Sequence, residues 1–354
     1  MEHAALAHRA DLRIVFFGTP AFAVPTLEGL VAAGYRPLRV ISQPSRPAGR
    51  GRRQADPPVV DCARAHDLDV VQAASVKDEA FLDALRALAP DVAVVVAFGQ
   101  IFRRPLLALP RFGCINLHAS LLPHHRGAAP IQAAIAAGDD VTGVTTMQMG
   151  PGLDDGPMLR IAETPIGADE THPQLAARLA DIGATLMVET LDELRAGRLD
   201  PIEQDHDRAT HAPRLRKEDG RADWTRSASA LDAQRRGYEP WPGLTATLDA
   251  RPLKLRETCV VGPAALRAAD LDAAARDAQP GTLLGLVTID GDRSSGASTP
   301  LIAVACGPDA PDGAATALGL RVVQRPGRRL LDARDLWNGE RLAAGQRFAR
   351  AGDA

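Results

Sequence analysis

Residues 13–42 read RIVFFGTPAFAVPTLEGLVAAGYRPLRVIS. Residues 13–17 and 38–42 are short apolar runs with turn residues around them, the signature of buried strands. Between them, residues 21–33 have helical length and spacing. Strands joined through a helix pair in parallel, because a tight turn cannot return the chain in the same direction. The alternation continues: 69–71, 92–97 and 114–117 read as further strands, and 58–66 and 78–88 as the helices between them. The expected fold class is α/β, a Rossmann-like domain with a mostly parallel, twisted sheet covered by helices on both faces. Residues 142–148 and 158–162 add two strands around a turn at 150–157. The long pattern 171–196 is a helix whose Leu175, Leu179, Ile182 and Leu186 share one buried face.

At 354 residues the chain exceeds what one hydrophobic core organises, so a second domain is expected. Residues 197–213 are polar and lose all period, as an interdomain linker does. Beyond them, strand-like segments at 245–248, 253–255, 281–289, 301–306 and 320–324 follow one another without long helices, which predicts a small β-barrel. The Ala- and Asp-rich piece 263–278 and the Gly/Ser-rich piece 290–299 read as surface insertions. The organisation is therefore an extension at 1–11, a first domain at 12–196, a linker at 197–213 and a second domain at 214–354.

Composition narrows the class. The chain is 45% hydrophobic and 24% charged, ordinary for a globular protein. Its longest apolar runs, such as 92–98, are far short of the roughly 20 residues a membrane span needs. Residues 1–11 lack the apolar core and small-residue cleavage site of a secretory signal. Cys62, Cys114, Cys259 and Cys306 are scattered without a C-x-x-C pair, which fits a reduced cytoplasm. From Arg208 onward 22 Lys and Arg face 18 Asp and Glu, so the second half is mildly basic and permits contact with a polyanion.

In open α/β sheets ligands bind beyond the carboxyl ends of the strands. The first such turn, Gly18-Thr19-Pro20-Ala21-Phe22, lacks the G-x-G-x-x-G that seats a pyrophosphate, which argues against a dinucleotide. Asn116 and His118 close a strand, two residues apart and so on one side of it. Asp154 sits in a turn bracketed by Gly152 and Gly156. An amide for an oxyanion, an imidazole for a proton and a carboxylate beside it suit acyl transfer to an amine. Taken singly, Asn-x-His is as well read as a local hydrogen-bonding detail, and Asp between glycines as a turn former.

Wider matches separate these readings. The run Asn116-Leu117-His118-Ala119-Ser120-Leu121-Leu122-Pro123, continuing through Arg126-Gly127-Ala128-Ala129-Pro130-Ile131-Gln132, closely resembles the active-site segment of methionyl-tRNA formyltransferases. So do residues 143–149 and Gly152-Leu153-Asp154-Asp155-Gly156. Phe17-Gly18-Thr19-Pro20 resembles the family's first turn, residues 43–52 its tRNA-facing loop, and Pro240-Trp241-Pro242-Gly243 its second domain. The resemblance implies transfer of the formyl group of 10-formyltetrahydrofolate to the amine of initiator methionyl-tRNA by a monomer that needs no metal and no membrane. It assigns Asn116, His118 and Asp154 to catalysis, with the imidazole most useful as its cation. Ser120, Leu121, Leu122 and Pro123 are assigned to folate, and Arg46, Arg50, Arg52 and Arg53 to tRNA. An OB-like barrel is assigned to the second domain, where Arg214, Arg216, Lys217, Arg235, Arg236, Arg325, Arg328 and Arg329 are further candidates for phosphate contact, and Trp241 is read as a packing residue. The chain departs from the family's pattern at His124-His125, Gly150-Pro151 and Gly237-Tyr238-Glu239. Relatives that formylate a small amine, such as glycinamide ribonucleotide or an amino-sugar nucleotide, share Asn-x-His and the distant Asp. The basic loop and the added domain speak against them.

Overall fold

The computed structural model describes residue 9 and residues 11–48, 53–289, 299–308 and 316–349. The chain forms two compact units. One comprises Met1–Ile131, Val141–Ile166 and Gln174–Pro213, the other Gln132–Asp140, Gly167–Pro173 and Arg214–Ala354.

Along the chain, the strands of the first unit are β1 (Ile14–Gly18), β2 (Arg39–Ser42), β3 (Arg46–Ala48), β4 (Arg53–Ala55), β5 (Val70–Gln72), β6 (Val92–Val96), β7 (Cys114–His118), β8 (Arg126–Gly127), β9 (Val141–Gln148), β10 (Met158–Pro165) and β11 (His211–Ala212). Seven of them make one sheet in the order β10-β9-β7-β6-β1-β2-β5. β5, β2, β1, β6 and β7 run parallel, and β9 and β10 complete the sheet antiparallel. The mostly parallel Rossmann-like sheet expected from residues 13–42 is thus present. Its central strands are apolar on both faces because both are covered. On one side Val15, Phe17, Ile41 and Val95 pack with Leu82, Leu85, Phe98 and Leu106. The helix His172–Arg195 buries Leu175, Leu179, Leu186, Met187 and Leu191. Its Gly183 brings it against the sheet: a Cβ there would lie 2.5 Å from a Leu117 methyl. Ile182, expected on the buried face, is only half-buried.

Residues 197–213, polar and aperiodic in sequence, are built into this unit. Ile202 and Met158 exchange main-chain hydrogen bonds of 2.8 Å, and β11 pairs in parallel with β8. The segment has no hydrophobic period because its backbone and polar side chains make its contacts.

The strands of the second unit are β12 (Leu244–Leu248), β13 (Arg251–Val261), β14 (Leu283–Ile289), β15 (Thr299–Ala305), β16 (Ala317–Gln324) and β17 (Leu330–Asp332). They form an antiparallel sheet in the order β12-β13-β16-β15-β14, with β17 also on β16. The expected small strand-built second domain is present, but as an antiparallel sheet and not a closed barrel, since β12 and β14 do not pair among the described residues. Leu244, Leu248, Leu253, Ile302, Leu318, Leu320 and Val323 form its core with Leu231 of the helix Ala228–Gly237 and Trp224, which stacks on Phe348 at 4.8 Å. Residues 263–278 are not a surface insertion. They form two short helices whose Leu266 and Ala275 are buried against Val261, Leu284 and Val287. The alanine-rich text hid Leu266, which anchors them with Leu271 packed beside it. Of the piece 290–299, only Thr299 lies within the described residues.

Candidate active site

β7 runs parallel beside β6, so its last residues emerge at the sheet's carboxyl edge. Strand alternation places Asn116 and His118 on one side. His118 is 5% exposed, while Asn116 is half-buried and its side chain makes no hydrogen bond with the described residues. An amide at such an edge without a protein partner is free to donate to a ligand oxygen.

The chain after β7 curls back so that its own carbonyls take up the site's polar groups. The Ser120 hydroxyl donates to His124 O at 2.6 Å, and the His118 Nε2–H donates to His125 O at 3.0 Å. His124 and His125 therefore serve the loop with their main chain, with His125 at φ +58°. Buried Thr145 of β9 ties the same loop down: its hydroxyl donates to Ser120 O at 2.8 Å and accepts from Leu122 N–H at 3.3 Å. Leu122 packs with Met147 and Met158. Of the four residues assigned to folate, Ser120 is fully buried with its hydroxyl engaged. It shapes the segment that Leu121, Leu122 and Pro123 continue.

Asp154 arrives from the turn between β9 and β10. Its Oδ2 lies 3.7 Å from His118 Nδ1 and accepts the Gly127 N–H at 2.9 Å. The turn is sharp at Asp154 itself, which has φ +49°, a conformation Asp tolerates better than most residues. Gly156 is required for space: a Cβ there would lie 2.0 Å from Gln148 O. Asn116, His118 and Asp154, 38 positions apart in sequence at the extremes, are thus gathered at one edge of the sheet.

Burial lowers the His118 pKa, and the His125 and Arg126 charges lower it further. Asp154 and the His125 carbonyl act in the opposite direction without prevailing. The resting imidazole is therefore neutral, with its proton on Nε2 and its Nδ1 lone pair toward Asp154. The expectation that His118 is more useful when protonated therefore meets a ring whose burial favours the neutral form.

Arg126, quoted in sequence without a role, completes the site together with Gln204, His206 and Thr210, which the sequence did not single out. Arg126 is 6% exposed, and no carboxylate pairs with it among the described residues. Its Nε and Nη2 donate to Gln204 Oε1 at 3.0 and 2.6 Å, and Nη2 lies 3.2 Å from His206 Nδ1. Gln204, 4% exposed, donates in turn to the carbonyls of Asp154 (2.9 Å) and Gly156 (2.7 Å). Thr210 N–H donates to Pro123 O at 3.3 Å, and Thr210 Oγ1 accepts the His125 N–H at 2.8 Å. Nothing periodic marks Gln204 or Thr210 in the polar segment that holds them. Their partners are remote in sequence.

The basic loop is a hairpin, β3 against β4. Its base is held by Asp56, which accepts from Ser45, Arg64 and Gln72, contacts that pull its pKa down to about 2. Arg46 is exposed. Arg50 and Arg52 lie outside the described residues, as does the Arg53 side chain. In the second unit buried Arg235 and half-buried Arg236 are committed, pairing with Glu239 at 3.3 Å and Asp232 at 3.0 Å. Arg325 is held by Glu340 and the carbonyls of Arg251 and Pro252. These three are spent within the fold, whereas Arg214, Arg216, Lys217, Arg328 and Arg329 are exposed. Trp241 is 54% exposed, so packing does not consume it. Among the described residues, one group of three metal-ligand types, Glu28, Cys62 and His66, lies together on two helices and a helix cap that carry none of Asn116, His118 and Asp154.

The chain belongs to the formyl transferase family: the family's sequence profile matches residues 12–191, and that of its C-terminal domain matches residues 214–341. Among named relatives it is similar to the methionyl-tRNA formyltransferase of Methylococcus capsulatus, 44% identical over 332 residues that cover 94% of this chain and 98% of that one. It is also similar to the methionyl-tRNA formyltransferase of Geobacter sulfurreducens, 41% identical over 97% of this chain and 98% of that one. Two solved structures share the fold. The N-formyltransferase of Helicobacter canadensis, in complex with folinic acid and dTDP-3-aminofucose, matches with TM-score 0.59 at 13% identity, over 87% of this chain and all but 1% of its own. HypX of Aquifex aeolicus, in complex with tetrahydrofolic acid, matches with TM-score 0.54 at 13% identity, over 92% of this chain and 47% of its own.

Proposed function

We infer that this chain transfers the formyl group of 10-formyltetrahydrofolate to the amine of methionyl initiator tRNA. The carrying observation is the agreement between near-full-length similarity to methionyl-tRNA formyltransferases and an edge where Asn116, His118 and Asp154 stand together.

The neutral amine attacks the formyl carbon, a C–N bond forms, and the carbonyl oxygen becomes an oxyanion. Asn116 supplies the donor to that oxygen, since its amide N–H groups have no partner among the described residues. The nitrogen that attacks must lose a proton, and folate N10 must gain one as its bond to the formyl carbon breaks. Neutral His118 takes the first proton at Nδ1, the side facing Asp154 at 3.7 Å, and the carboxylate stabilises the imidazolium so formed. The same proton then goes to N10. Rest as a neutral base is what this step needs, and burial of His118 provides it. Leu121, Leu122 and Pro123, backed by Ser120 and Thr145, form the folate-facing segment. The β3–β4 hairpin with Arg46, Arg50, Arg52 and Arg53 is the tRNA-facing arm, joined in the second unit by the exposed Arg214, Arg216, Lys217, Arg328 and Arg329.

The test is transfer of labelled formyl from 10-formyltetrahydrofolate with initiator methionyl-tRNA, elongator methionyl-tRNA and glycinamide ribonucleotide as competing acceptors. Label confined to the initiator tRNA supports the reading; label only on the small amine overturns it.

A further inference from the structure

We propose that Gln204 is a positioning residue for formyl transfer: braced on the Arg126 guanidinium, its amide holds the Asp154 turn so that the carboxylate faces His118. The proposal rests on the roles given above to His118 and Asp154.

The geometry leaves the amide no spare function. Its oxygen takes two hydrogen bonds from Arg126, at 3.0 and 2.6 Å, and its nitrogen gives one each to the carbonyls of Asp154 and Gly156, at 2.9 and 2.7 Å. Both carbonyls flank the peptide that sets where the Asp154 side chain points. Asp154 holds φ +49°, a conformation that persists only where surrounding contacts impose it. Only a side chain with both an acceptor and two donors at one planar end can link a cation to two carbonyls. Glutamate would keep the contact with Arg126 but offer the carbonyls no N–H. Methionine fills similar space and offers neither.

The other half of the clasp is equally fixed. β8 begins at Arg126, whose N–H donates to Thr210 O at 2.8 Å, and Gly127, the next residue, gives its N–H to Asp154 Oδ2. Gly127 has φ +123°, and a Cβ there would lie 2.6 Å from Ala212 O. Residues 202–212 therefore reach Asp154 twice, once through the Gln204 side chain and once through the strand pairing that places Gly127. Gln204 acts on the reacting groups through Asp154 and touches no substrate in this scheme.

Arg126 makes the role testable by pH. The charged and titratable groups facing His118 are Asp154, His125 and Arg126, and Arg126 opposes imidazole protonation. A carboxylate at 204 would neutralise Arg126, so the imidazole would bind its proton more readily and the acid limb of the rate profile would move to higher pH. Methionine at 204 would leave Arg126 unneutralised and would not move the limb upward.

The experiment compares Gln204→Glu, Gln204→Met and Asp154→Asn in the full-length protein, with kcat, both KM values, pH profiles and urea unfolding for each. Misplacement of a catalytic group by about 1 Å costs on the order of a hundredfold in rate. The expected result is therefore a fall of roughly that size in kcat for both Gln204 variants. KM for folate and for tRNA should stay within about threefold, since uniform binding is untouched. The acid limb should rise only for Gln204→Glu. Retention of kcat in either folded Gln204 variant, or a loss confined to KM, overturns the proposal. If Gln204→Met fails to fold, Gln204→Glu with its limb shift decides alone. If both unfold at low urea, the segment is a folding element and the proposal falls. Full activity of Asp154→Asn would instead sink the underlying reading, whatever Gln204 does.

Discussion

Thr145→Val isolates the contribution of two buried hydrogen bonds to the segment proposed to face folate. Valine replaces the hydroxyl with a methyl group of similar size, so the β9 position stays filled and no cavity opens. What changes is the polar pairing: Ser120 O loses a 2.8 Å donor and Leu122 N–H loses a 3.3 Å acceptor, both in a buried setting. A buried polar group left unpaired costs about 1–3 kcal/mol. With the longer contact weighted at the low end, the pair amounts to about 2–4 kcal/mol. For a unit of this size each kcal/mol lowers Tm by about 2–4 °C, so the variant should melt roughly 4–16 °C below the parent. Differential scanning calorimetry measures it, with titration of 5-formyltetrahydrofolate reporting on the segment itself. Thr145→Ser keeps the hydroxyl and should recover most of the loss. A Thr145→Val protein that melts within about 1 °C of the parent and binds folate normally would show that Thr145 does not hold the loop.

Asn116→Ala should keep folate binding and lower turnover by roughly two to three decades, the usual cost of one oxyanion donor; near-normal turnover in the folded variant would remove Asn116 from the mechanism. His118 sets the sign of the acid dependence. Its folded pKa lies below 6.5, so as pH falls from that value the unfolded chain binds the proton first, and stability declines through that window. The acid limb of kcat/KM should also fall below 6.5, and a limb above that value would contradict a neutral resting imidazole. Replacing Arg46, Arg50, Arg52 and Arg53 together by Ala should lower the salt dependence of tRNA binding by about one log unit of slope per lost phosphate contact; an unchanged slope would place the tRNA elsewhere. Gly156→Ala drives a methyl group to 2.0 Å from Gln148 O, so the Asp154 turn must shift. Turnover and urea stability should fall together, the latter by about 1–3 kcal/mol, and an unaltered protein would show that the turn tolerates displacement.

Local pattern was enough for the parallel sheet, because strands buried on both faces must be apolar throughout. β1 and β6 are, and the helices between them carry a 3.6-residue period. It was enough too for Asn116 and His118, whose shared side follows from strand alternation alone. That Asp154 joins them came from the resemblance of its motif, since no periodicity spans the residues between. Polar segments gave no such handle. Residues 197–213 read as a linker because sequence records hydrophobic period and says little of hydrogen bonding. Their Gln204 and Thr210 gain meaning only when β11 is laid beside β8. Residues 263–278 show the same limit from the apolar side, where Leu266 has no periodic neighbours to announce its burial.

Charge was the least legible property. Arg235 and Arg325 are indistinguishable in sequence from Arg328 and Arg329, yet the first two are buried in ion pairs and the others exposed. The protonation state of His118 belongs to the same group. An imidazole beside an aspartate suggests a cation, and the tertiary structure decides otherwise, because removing the ring from water and setting Arg126 nearby outweighs one carboxylate at 3.7 Å. The sequence by itself determined which chemical groups this protein carries and on which strands they ride. How much water and how much opposing charge each group meets depended on segments distant along the chain, and only folding brings those together.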